Sequence, residues 1–221
     1  MRELIERYVR ELVKIPSTSN TETEKSCADY IAEELAKQPY FKEYPEQTGK
    51  YLLPEDSFGR SVPWGLVKGR NGSRKTIILT GHYDVVDTEE YGNERALAYD
   101  VEKWENLVKS GNALPGMPEE VKEDFLSGEW MFGRGTADMK GGLSVGLALL
   151  DWYGKLVVEA ERKDCGTAAF ETKTASGTEE TPEISGNLLF VTVPDEEGYS
   201  AGMRGAVPFL NDLKERFDLE Y

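Results

Sequence analysis

The stretch EWMFGRGTADMKGGLSVGLALLDWY, residues 129–153, decides the fold class. Its first four residues are an apolar run that reads as a strand. Residues 143–153 are an apolar run rich in small side chains, which reads as a helix packed closely on a sheet. Between them lies a turn with four glycines and one acid, Asp138. Either the glycines cradle a phosphate, or they let the backbone bend so that Asp138 faces a cation. A phosphate-binding loop needs glycine directly before its lysine, but Met139 precedes Lys140. A dinucleotide-binding turn needs glycine where Asp138 stands, and a carboxylate there repels pyrophosphate. What remains is a turn that presents a carboxylate, or at its plainest a helix N-cap.

Outward from this turn, KTIILTGHYDVV (residues 75–86) is β-branched and apolar on both faces, as in a strand covered on both sides. VPWGLVKG and GNLLFVTVPDEEG read as further strands. The N-terminal segment places Leu4, Ile5, Tyr8, Val9, Leu12 and Val13 on one helical face, and a second helix turns Ala28, Ile31 and Leu35 inward. VEKWENLVKSG and PEEVKEDFLSG suit short helices, and AGMRGAVPFLNDLKERFD a longer one. Residues 154–186 lose the pattern and read as a flexible insertion with a short hairpin around KLVVEAE. Strands alternating with helices predict an α/β fold, a three-layer αβα sandwich on a mostly parallel mixed sheet.

The chain carries 26 basic and 41 acidic residues among 221, a net charge of −15. That field argues against nucleic acid and anionic membrane as partners and favours cations. No apolar run reaches membrane-spanning length, and the N-terminus lacks the apolar core of a signal peptide. The two cysteines, Cys27 and Cys165, form no metal-binding pair or disulfide framework, which points to a reducing cytoplasm. A cysteine nucleophile at Cys27 working with His82 is a poor reading, because Cys27 falls within an ordinary amphipathic helix.

His82 is the sole histidine. It stands two residues before Asp84, so both side chains project to one side of an extended chain. Asp195, Glu196 and Glu197 crowd another strand end, where adjacent like charges are costly unless a cation neutralises them. Each motif alone has a bland explanation: a satisfied histidine, an N-cap, a solvated acidic turn. Together, at the C-terminal ends of core strands, they form a histidine–carboxylate set suited to Zn²⁺, Co²⁺ or Mn²⁺.

In this order, GHYDVVDTEEYG, SGEWMFGRGTADMKGGL and GNLLFVTVPDEEGYSAGMRGAVPFL, with PYFKEYPE and GLVKGR before them, resemble the cocatalytic-zinc aminoacylase and carboxypeptidase family of metallo-exopeptidases. The finer pattern is similar to its arginine-utilisation (RocB-type) branch. The resemblance implies two zinc ions, with His82 ligating one, Glu197 the other and Asp138 bridging both. It implies that Asp84 orients the imidazole, that Glu196 is the general base and that the Asp138–Met139 peptide is cis. The implied reaction is hydrolysis of an amide bond in a small N-acyl amino acid or short peptide.

A complete member of that family has two further ligands, a carboxylate and a histidine, and a lid and dimerisation domain. The resemblance therefore predicts that this chain is the N-terminal portion of a catalytic domain, with a sheet incomplete at its C-terminal end. It predicts weak metal binding, little hydrolysis by the chain alone, and a homo-oligomer or a complementing C-terminal half as partner. The alternative is a non-catalytic domain that keeps the fold for binding or assembly.

Overall fold

The computed structural model describes residues 1–111, 116–164 and 184–221. In chain order the elements are α1 (Arg2–Lys14), α2 (Thr23–Lys37), α3 (Pro39–Glu43), β1 (Thr48–Leu52), β2 (Ser61–Val67), β3 (Thr76–His82), α4 (Val101–Ser110), α5 (Glu119–Ser127), α6 (Lys140–Asp164), β4 (Asn187–Val193) and α7 (Ala201–Phe217). The strands form one mixed sheet in the order β1-β2-β4-β3. The β1–β2 and β2–β4 pairs are antiparallel and the β3–β4 pair is parallel, so the parallel share is smaller than the sequence suggests. The short link from β1 to β2 cannot carry a parallel crossover, which needs a dozen or more residues.

Helices cover both faces, as expected of the sandwich. On one face Leu12 of α1, Ile31 and Leu35 of α2, and Leu147 of α6 pack with Leu188 and Phe190 of β4. On the other, Phe209 and Leu213 of α7 pack with Trp64 and Leu66 of β2 and with Leu189, Val191 and Val193 of β4. All seven residues of β4 are buried, and successive side chains go to opposite layers. β2 and β4, not β3, are therefore the strands covered on both sides. β3 lies at the sheet edge and leaves Ile77 66% exposed.

The small residues of α6 serve close packing, as the sequence suggests. A Cβ built on Gly146 would lie 2.8 Å from Cε2 of Phe190. The helix does not stop at Tyr153. Leu143, Leu147, Leu150, Val157 and Val158 continue one buried stripe, so KLVVEAE is helical and the expected hairpin is absent. Of the rest of the expected insertion, residues 165–183 lie outside the described residues, and Ile184 packs on the core.

EWMF is not a strand. Met131 and Phe132 are taken by the layer that α4 and α5 build beside α1, while Trp130 stays 59% exposed. Met131 packs on Val9, Val13 and Val101, while the Phe132 ring lies 5.7 Å from Trp104 and 5.5 Å from Phe125. The Asp100 carboxylate caps α4 by accepting from the Lys103 amide at 3.0 Å. Gly111 and Gly128 close α4 and α5 in the left-handed region, at φ 69° and 71°. Among the described residues no helix is long and apolar enough to cross a membrane.

Candidate metal centre

His82 ends β3 opposite Val193, the last residue of its parallel neighbour β4. The segments that follow, Tyr83–Asp84 and Pro194–Glu197, therefore emerge side by side at the carboxyl end of the sheet, where ligands bind in α/β folds. Asp138 comes from the turns preceding α6, and its peptide bond to Met139 is cis.

These segments converge on one ring. His82 Nδ1 lies 2.9 Å from the main-chain oxygen of Asp84 and 3.5 Å from its carboxylate. On the far side, Nε2 lies 3.0 Å from Asp138 Oδ1 and 3.7 Å from Glu196 Oε2. Ligand atoms of His82, Glu196 and Glu197 all lie within 4.8 Å of one another. With Nδ1 donating to the Asp84 carbonyl, Nε2 is the nitrogen that faces the acids, and a metal ion there would take the place of its proton.

Charge explains the electrostatics. Burial works against a charged His82 ring. Hydrogen bonding to Asp84, its charge and the Asp138 hydrogen bond outweigh it and raise the pKa to about 9. Burial, then the neighbouring Asp138, Glu196 and Asp84 charges, push the Glu197 carboxyl up, with His82 opposing. A divalent cation at this point would relieve that crowding. Asp84 behaves in the opposite way. Burial disfavours its charge, but hydrogen bonds from His82, Ser19 and the Glu196 and Glu197 amides hold it below the usual range.

Those bonds show what Asp84 touches. Its carboxylate accepts from the Ser19 hydroxyl at 2.6 Å and from the Glu196 and Glu197 amides at 3.0 and 3.1 Å. The closest contact to the imidazole is thus made by its main chain, while its side chain ties the β3 end to the acidic turn. Ser19, Glu24, Arg60 and Lys140 also support the site, and sequence patterns do not single them out. Lys140 is fully buried and donates from Nζ to the Ile15 carbonyl at 2.6 Å, which fastens the start of α6 to the end of α1. Cys27 is buried in the apolar core among α1, α2 and α6, and burial pushes its thiol up, so it has none of the character of a nucleophile.

No family model matches the chain. It is 31% identical over 219 residues to protein RocB of Bacillus subtilis (strain 168), across 99% of this chain and 34% of RocB. It is 35% identical over 209 residues to the uncharacterized protein YqjN of the same strain, across 94% of this chain and 32% of YqjN. The chain thus spans about a third of the length of the curated relatives it matches. Among solved structures, human carnosine dipeptidase 1 superposes with a TM-score of 0.56 at 14% identity, across 100% of this chain and 37% of that one. That likeness shows the fold. The RocB-type resemblance carried by the motifs holds along nearly the whole chain, and the α/β fold is shared with the carnosine dipeptidase 1 structure.

Proposed function

We propose that His82, Asp138 and Glu197 hold divalent metal in a hydrolase acting on amide bonds of small N-acyl amino acids or short peptides. The observation that carries this reading is the approach of Asp138 and Glu196 to Nε2 of His82, with Glu197 within ligating reach. One imidazole with several carboxylates is a borderline-to-hard donor set, which suits Zn²⁺ and admits Co²⁺ or Mn²⁺. Bound there, the ion would polarise the scissile carbonyl and lower the pKa of water.

The chain's own groups account for the rest. The Asp84 carbonyl selects the His82 tautomer, and the Asp84 carboxylate holds the Glu196 and Glu197 amides. Glu196, half exposed beside Nε2, is the group placed to take a proton from water. Shared between two ions, the three ligands give each ion two, fewer than the three or four usual for zinc. Weak binding and slow hydrolysis by this chain follow, with the remaining ligands supplied by further polypeptide of the kind the longer relatives possess.

The test is calorimetric titration of the chain with Zn²⁺ and Co²⁺, beside His82→Ala and Glu197→Gln, and an N-acetyl amino acid hydrolysis assay with and without added metal. Binding heat that disappears in both variants supports the reading. Equal heats in the chain and in His82→Ala would refute it and leave a non-catalytic binding domain as the better account.

A further inference from the structure

We propose that Arg60, through Glu24 and Asp195, is a positioning residue that sets where Glu196 and Glu197 point; as a statement about a metal centre this rests on the reading above.

Arg60 precedes β2, far in sequence from the acidic turn, yet it is 4% exposed. Its guanidinium is fully engaged. Nε and Nη2 donate to Asp56 Oδ2 at 2.9 and 2.7 Å. Nη1 donates to Glu24 Oε2 at 3.1 Å and lies 3.4 Å from Asp195 Oδ1. Asp56 is itself fixed, because its Oδ1 accepts from the Phe58 and Arg60 amides at 3.1 and 2.9 Å. The loop between β1 and β2 thus aims a rigid, planar fork at the underside of the turn.

Glu24, wholly buried in the first turn of α2, carries that constraint onward. Its Oε1 accepts from the Asp195 amide at 2.9 Å. Asp195 is held in the left-handed region at φ 61°, and its carboxylate accepts from the Ala201 amide at 2.9 Å. The next two amides, of Glu196 and Glu197, go to Asp84. Three consecutive peptide N–H groups are therefore held by two buried carboxylates, Glu24 from one side and Asp84 from the other. Fixing three successive peptide planes fixes the directions in which the Glu196 and Glu197 side chains leave the chain. Arg60 supplies the positive charge that lets Glu24, Asp56 and Asp195 share a buried space. Without it, the acids repel and the turn loses its hold at Asp195.

The experiment compares the wild-type chain with Arg60→Met, Arg60→Lys and Glu24→Gln, and with Leu35→Ala as a core variant that lowers stability without touching this network. Amide hydrogen exchange is followed across β4 and residues 195–197, and Zn²⁺ affinity is measured by calorimetry. For Arg60→Met and Glu24→Gln we expect exchange at residues 195–197 to rise about tenfold or more while β4 keeps its protection. We expect Zn²⁺ affinity to fall about 10- to 100-fold, as for loss of a group that orients a metal ligand. Arg60→Lys, which keeps the charge and loses the fork, falls between, and Leu35→Ala lowers protection alike in β4 and at residues 195–197 and leaves Zn²⁺ affinity unchanged. Uniform loss of protection in Arg60→Met, matching Leu35→Ala, would overturn the proposal; if that variant does not fold, Glu24→Gln decides in the same way. Selective loss of protection with unchanged Zn²⁺ affinity would also overturn it. Selective loss of protection in a chain that binds no metal would sustain the hold of Arg60 on the turn and refute the metal-centre reading instead.

Discussion

Replacing Asp84 with asparagine, a nearly isosteric change, should cost about 3 kcal/mol of folding stability. Besides the 3.5 Å approach of His82 Nδ1, the carboxylate receives three close donors: the Ser19 hydroxyl and Glu197 amide at Oδ2, and the Glu196 amide at Oδ1. An asparagine offers one oxygen and one amino group. Whichever way the amide is turned, its amino group meets a peptide N–H that has no other use for it. Leaving one buried donor unpaired costs about 1–3 kcal/mol, and turning the surviving charge-assisted bonds into neutral ones costs about 1 kcal/mol more. The loss is to be read from the midpoint of urea unfolding, with the slope unchanged.

The same variant has a second readout, because the chain has one histidine and its ring protons give one titration curve. In the metal-free protein that curve should be centred at about 9, and Asp84→Asn should move it down, since Asp84 provides most of the upward pull. The sign for stability follows. A histidine whose folded pKa exceeds its unfolded value of about 6.5 stabilises fully below that value and loses its contribution as pH rises through about 9. A midpoint within about 0.5 kcal/mol of wild type, the spread of neutral surface changes, together with an unmoved titration, would show that Asp84 does not organise this site.

Three further outcomes are expected. Burial, opposed in part by Arg60, raises the Glu24 pKa to about 7. Facing Arg60, Asp195 and Asp84, this carboxyl keeps its proton in the fold up to about pH 7 while the unfolded chain ionises, and above that it is the charged partner of Arg60. Stability should fall by up to ~3 kcal/mol from the unfolded carboxylate pKa to pH ~7, a slope that Glu24→Gln removes in unfolding measured across that window. Gly146→Val should cost about 1–3 kcal/mol by overpacking, because its Cβ already meets the Phe190 ring, and thermal unfolding will register the loss. Ile77→Lys, on the exposed edge strand, should change stability by less than about 0.5 kcal/mol and reduce aggregation on heating, measured by light scattering.

The helices were legible wherever an apolar stripe was local. Tyr8, Val9, Leu12 and Val13 of α1, and Ala28, Ile31 and Leu35 of α2, are buried as their spacing demands. The stripe of α6 is hard to trace past Tyr153 because Gly154 and Lys155 break it before Val157 and Val158 resume it. The composition of β3 suits a strand covered on both sides. What makes it an edge is the order of distant strands, which no local pattern carries. EWMF has the look of a strand, but the α4–α5 layer claims Met131 and Phe132. At the site, His82, Asp84, Asp138, Glu196 and Glu197 could be named from motifs, and the structure brings them together. Arg60 and Glu24 could not, since each looks like an ordinary surface charge until α2 and the β1–β2 loop are folded over the turn.

The spacing along the chain of the bonds that build the pocket also dictates when it forms. Ser19 reaches Asp84 across 65 residues, Asp84 reaches the two glutamate amides across 112 and 113, and Glu24 reaches Asp195 across 171. Closing such large loops comes late and slowly in folding. During synthesis the amino-terminal helices leave the ribosome long before the acidic turn exists to meet them. Until then Glu24 and Asp84 stay hydrated and apart, so on the metal reading proposed above an ion could be captured at this pocket only after the sheet has closed.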